Sequence, residues 1–543
     1  MGGNSLRNFL NTSSPFLYAL PLATAAALVN HIVPEPYLDE IFHIPQAQAY
    51  CQGKWDVWDP KLTTPPGVYL VYVALHRVLL GAVFAFNCDN VAAMRSVNAV
   101  FLLCVAQVLQ TLIYDIRLVP AKVPPVDSRA NRKGSGISHK VVSPENAIRK
   151  AIEDPKGSAK EARAAVAKAA EQRSSSSLSK ATAFDAHVIA FLPPLWFFGL
   201  LYYTDVGSLL TVLVCLRYAK EGSHGRAAFA GLVSLLFRQT NIIWVVFILA
   251  TSIVEELRRH GLQDPLAKDA TLASVGSTVQ TTFSVLCDRK AQVAAVSIAA
   301  TYSPVIAAFA GFLLWNGSIV LGDKTNHVAA LHFPQLLYFA AFTVFFGWPA
   351  VLTTAPSIPA LLSRTLWNTV GGWRQLLITS VSIAAGLAAV HRFTIEHPFL
   401  LADNRHYAFY IWRRVVKVHP YAKYALVPAY IGCARLAWDS IARTRTFVWM
   451  LGFSAALTLT LVPSPLLEPR YFLVPYVIWR AHVVPLAENA RPEQKRRGSD
   501  QRSLAWLGIE AGWYLAINVV TVFVFLYKPF KWPSETGWQR FMW

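Results

Sequence analysis

Charged residues are scarce in this chain: Asp, Glu, Lys and Arg make up 15% of its 543 residues, against 54% hydrophobic ones. Soluble domains carry about a quarter charged residues, so this deficit, with a mean hydropathy of +0.37, excludes an ordinary water-soluble globular mixture. Acidic residues are the rarer sign, 31 against 50 Lys and Arg, giving a formal net charge of +19. That excess does not point to nucleic acid, because Lys and Arg fall in short segments between apolar runs, as in the cytosolic loops of membrane proteins. Cysteines number six and form no CxxC or Cys/His metal spacing, which argues against zinc. Cys51 and Cys88 are able to pair if both lie on the lumenal side. What the chain does have is long apolar runs. It reads as an all-α, polytopic membrane protein.

Runs near the 20 residues needed to cross a bilayer begin at 16–33, "FLYALPLATAAALVNHIV". We take this run as a retained anchor, since cleavage would part the following loop from the membrane. The run 67–86 places His76 and Arg77 at its middle, where a charge costs at least about 2.5 kcal/mol. It is therefore expected to be a helix lying along or dipping into the lumenal interface, within a first lumenal loop of 34–91. The second span is then 92–113, and further spans fall near 184–203, 206–218, 226–239, 241–257, 294–315, 335–353, 376–391, 422–440, 447–462, 471–486 and 504–527. Thirteen spans result. Residues 114–180 hold 14 Lys and Arg against 7 Asp and Glu, a net +7, with low-complexity pieces such as "RSSSSLSK". They are expected to form a disordered cytosolic insertion in an otherwise single membrane domain.

This threading puts "PYLDEIFH", "YYTDVGS", "FRQTN", "LGDKTNH", "HPFLLADNRHY" and "LEPRY" on one membrane face. Asp39, Glu40, Asp205, Arg238, Lys324, His327, Arg405, His406 and Arg470 converge there. A structural protein has little use for that clustering; a site handling a phosphate and a hydroxyl does. A transporter would be expected to show internal repeats, and none is visible. Two sequons, at Asn11 and Asn316, add little.

The stretches "YLDEIFHIPQAQAYCQGKWDVWDPKLTTPPG", "FRQTNIIWV", "GDKTNHVAALHFPQLLYF", "HPFLLADNRHYAFYIWRR" and "LLEPRYFLVPY", in this order, closely resemble the endoplasmic-reticulum α-1,2-glucosyltransferases that use dolichyl-phosphate glucose. The resemblance runs from about residue 15 to the closing "QRFMW", omitting the basic insertion. It implies a GT-C architecture, a lumenal active site, and membrane lipids and two dolichyl substrates as partners: dolichyl-phosphate glucose as donor and a diglucosylated dolichyl-diphosphate oligosaccharide as acceptor. Another GT-C enzyme with a different dolichyl-phosphate sugar is the main competitor.

In such an enzyme one carboxylate must take the proton from the acceptor 2-hydroxyl. Asp39 and Glu40 are adjacent and so point in different directions; the resemblance favours Asp39 as base, with helix capping as its bland alternative and Glu40 as the other candidate. Arg405 and His406 come first for the donor phosphate, then Lys324 and His327, while Arg238 can equally pair with Asp205 and Arg470 with Glu468. For the acceptor, Trp55, Trp58 and Tyr69 are stacking candidates, though most of the 17 tryptophans belong to the interfacial belt. His43 and Asp205 complete that set, His43 being as readily a structural histidine. No DxD triplet occurs in the lumenal loops, so neither a metal nor a cofactor is expected.

Overall fold

The computed structural model describes the backbone of residues 3–80, 87–118, 177–324, 328–486, 497–533 and 537–543. The chain is nearly all helix, and among the described residues its strands are one short antiparallel pair, Phe530–Lys531 with Trp538–Gln539. Most of the expected basic insertion, residues 119–176, lies outside the described residues, as does His327.

Among the described residues six helices are long and apolar enough to cross a membrane: Ser13–Ile32, Val91–Arg117, Arg289–Asn316, Pro334–Leu352, Trp373–Phe393 and Arg502–Tyr527. Each matches one of the expected spans. The remaining expected spans form shorter or broken helices, or, in Asn241–Arg259, one that closes on the charged residues Glu255, Glu256, Arg258 and Arg259. The run at 184–203 breaks between Ser177–Ala190 and Pro193–Phe198, because prolines 193 and 194 lack the amide hydrogens that a continuous helix needs. The six long helices make this a membrane protein. Their outer faces leave Leu314, Trp315, Leu376 and Val381 exposed, as a lipid-facing surface requires.

Two buried arginines of the bundle are paired, since an isolated charge would be costly there. Arg480 is 2% exposed and bonds both Asp185 (2.8 Å) and Glu510 (2.6 Å), tying three helices together. Arg95 grips Glu40 in the same manner, anchoring the loop after the first span to Val91–Leu118. Within the run at 67–86, Gly67–Leu75 is helical and His76–Leu80 forms one π turn, with 81–86 outside the described residues. Cys51 and Cys88 form a disulfide that fastens the end of the Glu40–Cys51 helix near the start of the second span. Residues 321–323 dock on the first loop. Asp323 N–H donates to the Pro60 carbonyl (2.7 Å), and Gly322, at φ +62°, lies so close to that carbonyl that a side chain would not fit.

Candidate active site

The site begins with a strained turn. Leu38 has φ +54°, the sole non-glycine residue with positive φ among the described residues, at a cost of about 1–2 kcal/mol. Glu40 holds the turn closed: its amide donates to the Tyr37 carbonyl (3.1 Å), and its carboxylate accepts from the Tyr37 amide (3.0 Å). That carboxylate also accepts from Arg95 Nε (2.9 Å), Arg95 Nη2 (2.6 Å) and the Tyr202 amide (2.7 Å), and Glu40 is 0% exposed. Glu40 is thus fully committed to the scaffold. Its neighbour is left to point elsewhere.

Asp39 occupies the N-cap position of Glu40–Cys51 but makes no side-chain cap hydrogen bond. Its carboxylate instead accepts from Arg470 Nη1 at 2.7 Å, and its backbone amide donates to the Tyr203 hydroxyl at 3.1 Å. Asp39, Tyr203, His406, Glu468 and Arg470 line one small, partly enclosed pocket, with Phe198, Pro469, Met542 and Trp543 as the apolar part of its wall. Burial pushes the Asp39 carboxyl up, but Arg470, His43 and His406 outweigh it and hold the group below its ordinary range. Asp39 is therefore a carboxylate at neutral pH, one-third exposed and facing a cavity. That is a proton acceptor beside fixed cations.

The arginines are less free than the sequence suggested. Arg470 is shared between Asp39 and Glu468, Arg238 pairs with Asp205 at 2.6 Å, and Arg405 pairs with Asp403 at 2.7 Å while stacking over Trp532. Counting Arg238, Arg405 and Arg470 against Asp39, Asp205, Asp403 and Glu468 gives +3 and −4, hence −1 with His406 neutral. An incoming phosphate must compete for these guanidiniums. His406 reaches the pocket while its Nδ1 is bonded to the Trp543 carbonyl (2.9 Å). Lys324 sits apart, its Nζ donating to the Asn316 carbonyl (2.5 Å) at the end of the Arg289–Asn316 helix.

His43 shares a 2.5 Å hydrogen bond with Tyr69, and burial pushes its pKa down to about 4. Tyr69 is 0% exposed, so its ring offers no face to a glycan in this structure. Trp58 packs against Tyr69, whereas Trp55 is 48% exposed and lies tilted against Tyr50, with Arg77 over its ring. Trp55 is thus the more accessible of the two tryptophans. Tyr203, Asp403 and Trp543 received no role from sequence reasoning; the first two stand inside "YYTDVGS" and "ADNRHY", and Trp543 in the closing "QRFMW". The last segment reaches the site because the Met542 amide donates to the Arg405 carbonyl (2.9 Å), the Tyr407 amide donates to the Met542 carbonyl (3.0 Å), and Tyr37 Oη donates to the Arg540 carbonyl (2.6 Å).

A family profile matches residues 33–123 and 160–481, bracketing the pocket's acidic turn and Arg470. The chain belongs to the DIE2/ALG10 family. Residues 124–159, inside the basic insertion, fall outside the match. Among curated members the human protein named Dol-P-Glc:Glc(2)Man(9)GlcNAc(2)-PP-Dol alpha-1,2-glucosyltransferase is 33% identical, covering 94% of this chain and 93% of the relative. Proteins of the same name from Arabidopsis thaliana (32%; 97% and 98% covered) and Mycosarcoma maydis (32%; 95% and 95%) match equally broadly. No solved structure matches. Within this DIE2/ALG10 chain, the Asp39 pocket is the place where a carboxylate, cations and a cavity meet.

Proposed function

We propose that this chain is an inverting, dolichyl-phosphate-glucose-dependent α-1,2-glucosyltransferase of GT-C architecture in the endoplasmic-reticulum membrane, with the Asp39 pocket as its lumenal active site. It transfers glucose to the terminal glucose of a diglucosylated dolichyl-diphosphate oligosaccharide, for protein N-glycosylation. The relatives' shared name supports donor and acceptor. The observation that carries the site is the Asp39 carboxylate, ionised by Arg470 and open to the pocket.

A β-linked donor and an α-linked product call for one in-line displacement. The bond from the anomeric carbon to the phosphate oxygen breaks and its electron pair leaves with dolichyl phosphate. The acceptor 2-hydroxyl oxygen forms the new bond as Asp39 takes its proton. Since the anomeric carbon gains oxocarbenium character before the proton is lost, a base held ionised suits the task better than a strong base. The departing phosphate gains a negative charge, which needs donors fixed in advance. His406 and Arg470 share the pocket wall with Asp39 and are assigned that role; Arg405, Arg238 and Lys324 stand further out. Trp55 is the best-placed platform for the acceptor glycan. No metal is assigned, since a lipid monophosphate presents no diphosphate to clamp.

The test is transfer by purified protein from synthetic dolichyl-phosphate glucose, and separately dolichyl-phosphate mannose, to the diglucosylated lipid-linked acceptor. A product with one added α-1,2 glucose, and no mannose product, is expected. Transfer of mannose, or no transfer by well-folded protein, would overturn the assignment.

A further inference from the structure

The Pro334–Leu352 helix begins beside the Asp39 pocket, where Gln335 Nε2 donates to the Leu466 carbonyl (2.8 Å), two residues before Glu468. Its 19 residues rise about 28 Å, so its far end, at Thr353 and Thr354, reaches the opposite membrane face. A second group of arginines gathers there. Arg364 Nη1 (3.3 Å) and Arg443 Nη1 both donate to the Thr354 carbonyl, and Arg364 Nη2 also reaches Thr354 Oγ1 (3.3 Å). Two like charges therefore meet on one neutral oxygen. Among the described residues neither has a carboxylate within ion-pair distance, and the Nε of Arg364 is buried with no partner. The neighbouring acid, Asp439, is already held by Arg435 (3.3 Å) and Asn368 (2.8 Å). Arg364, Arg435 and Arg443 against Asp439 leave a local charge of +2.

Depth in the membrane follows from the helix that carries Arg364. Ile358–Val370 exposes Leu362, Leu366, Trp367 and Val370 along one face, with Arg364 and Asn368 on the other. A helix of this kind lies in the interfacial plane with its apolar face toward the acyl chains. Its polar side is then at headgroup level, where lipid phosphates lie. Arginine forks match phosphate oxygens in pairs, and two forks on one carbonyl present such donors half-buried, with neither in an ion pair among the described residues.

We propose that Arg364 and Arg443 form a phosphate-binding site for an anionic phospholipid headgroup, in the leaflet opposite the Asp39 pocket. The site would bind the lipid's phosphate through both guanidiniums and leave glucosyl transfer chemistry untouched. Delipidated wild-type protein in detergent is titrated with phosphatidic acid, phosphatidylcholine or inorganic phosphate, reading bound lipid by native mass spectrometry and the thermal unfolding midpoint. Phosphatidic acid is expected to bind and raise the midpoint, with phosphatidylcholine and inorganic phosphate far weaker. Arg364→Gln and Arg443→Gln should each weaken phosphatidic acid binding about fivefold. If a Gln variant does not fold, Arg443→Lys serves instead, and weaker binding is again expected because the fork is lost. Equal protection by phosphatidylcholine, equal protection by inorganic phosphate, or wild-type lipid affinity in a folded variant would each overturn the proposal.

Discussion

Replacing Asp39 by Asn and Glu40 by Gln separates chemistry from folding at two adjacent carboxylates. Asp39 is 33% exposed on its side chain, and its partner Arg470 keeps Glu468 when Asp39 is neutralised. A partly exposed pair of this kind contributes about 1 kcal/mol or less, so Asp39→Asn should leave the unfolding midpoint almost unchanged. Loss of a general base costs about 10²–10⁴ in rate, or roughly 3–5 kcal/mol of barrier. Glu40→Gln has the reverse profile. Its carboxylate accepts four hydrogen bonds, two of them from Arg95, which is 2% exposed. Stranding that arginine costs roughly 3–5 kcal/mol of stability, with turnover falling only as far as the Leu38 turn relaxes. The assay pairs initial rates of labelled glucose transfer at saturating substrates with thermal midpoints in detergent, scored on monodisperse protein. Turnover near wild type in a folded Asp39→Asn variant would refute the reasoning; so would an unchanged midpoint in Glu40→Gln.

Arg470→Gln removes the cation that opposes burial at Asp39, so the carboxyl pKa rises and the acid limb of the pH–rate profile should move to higher pH; an unmoved limb would assign the base elsewhere. His43 is buried with a pKa pushed from 6.5 down to about 4, so the folded state disfavours its protonation. Stability from this group is complete above pH 6.5 and lost as pH falls toward about 4, up to roughly 3 kcal/mol; His43→Gln should flatten that part of the midpoint–pH curve relative to wild type. The Cys51–Cys88 disulfide spans a separation of 37 residues, and on the chain-entropy account closing such a loop stabilises by about 4 kcal/mol. Cys51→Ser with Cys88→Ser should lower the midpoint by several degrees, and reductant should have no further effect on that double variant.

Composition and hydrophobic run length were enough to read off an all-α membrane protein, because crossing a bilayer demands long apolar stretches whatever the tertiary arrangement. They also located the acidic pair, the "ADNRHY" and "LEPRY" segments and the cysteine pair, since ionisable residues beside apolar spans stand out against their surroundings. They did not decide which runs stay whole: Pro193 and Pro194 broke one, and six of the expected spans became short or interrupted helices. Nor did they show that Glu40 is spent on Arg95, that Arg238, Arg405 and Arg470 all sit on carboxylates, or that Trp543 walls the pocket some 500 residues after Asp39. Two adjacent carboxylates are chemically alike on paper. Only the fold, by a left-handed Leu38 and a buried arginine, turns one into scaffold and leaves the other facing the cavity, because partner and burial are properties of distant segments brought together.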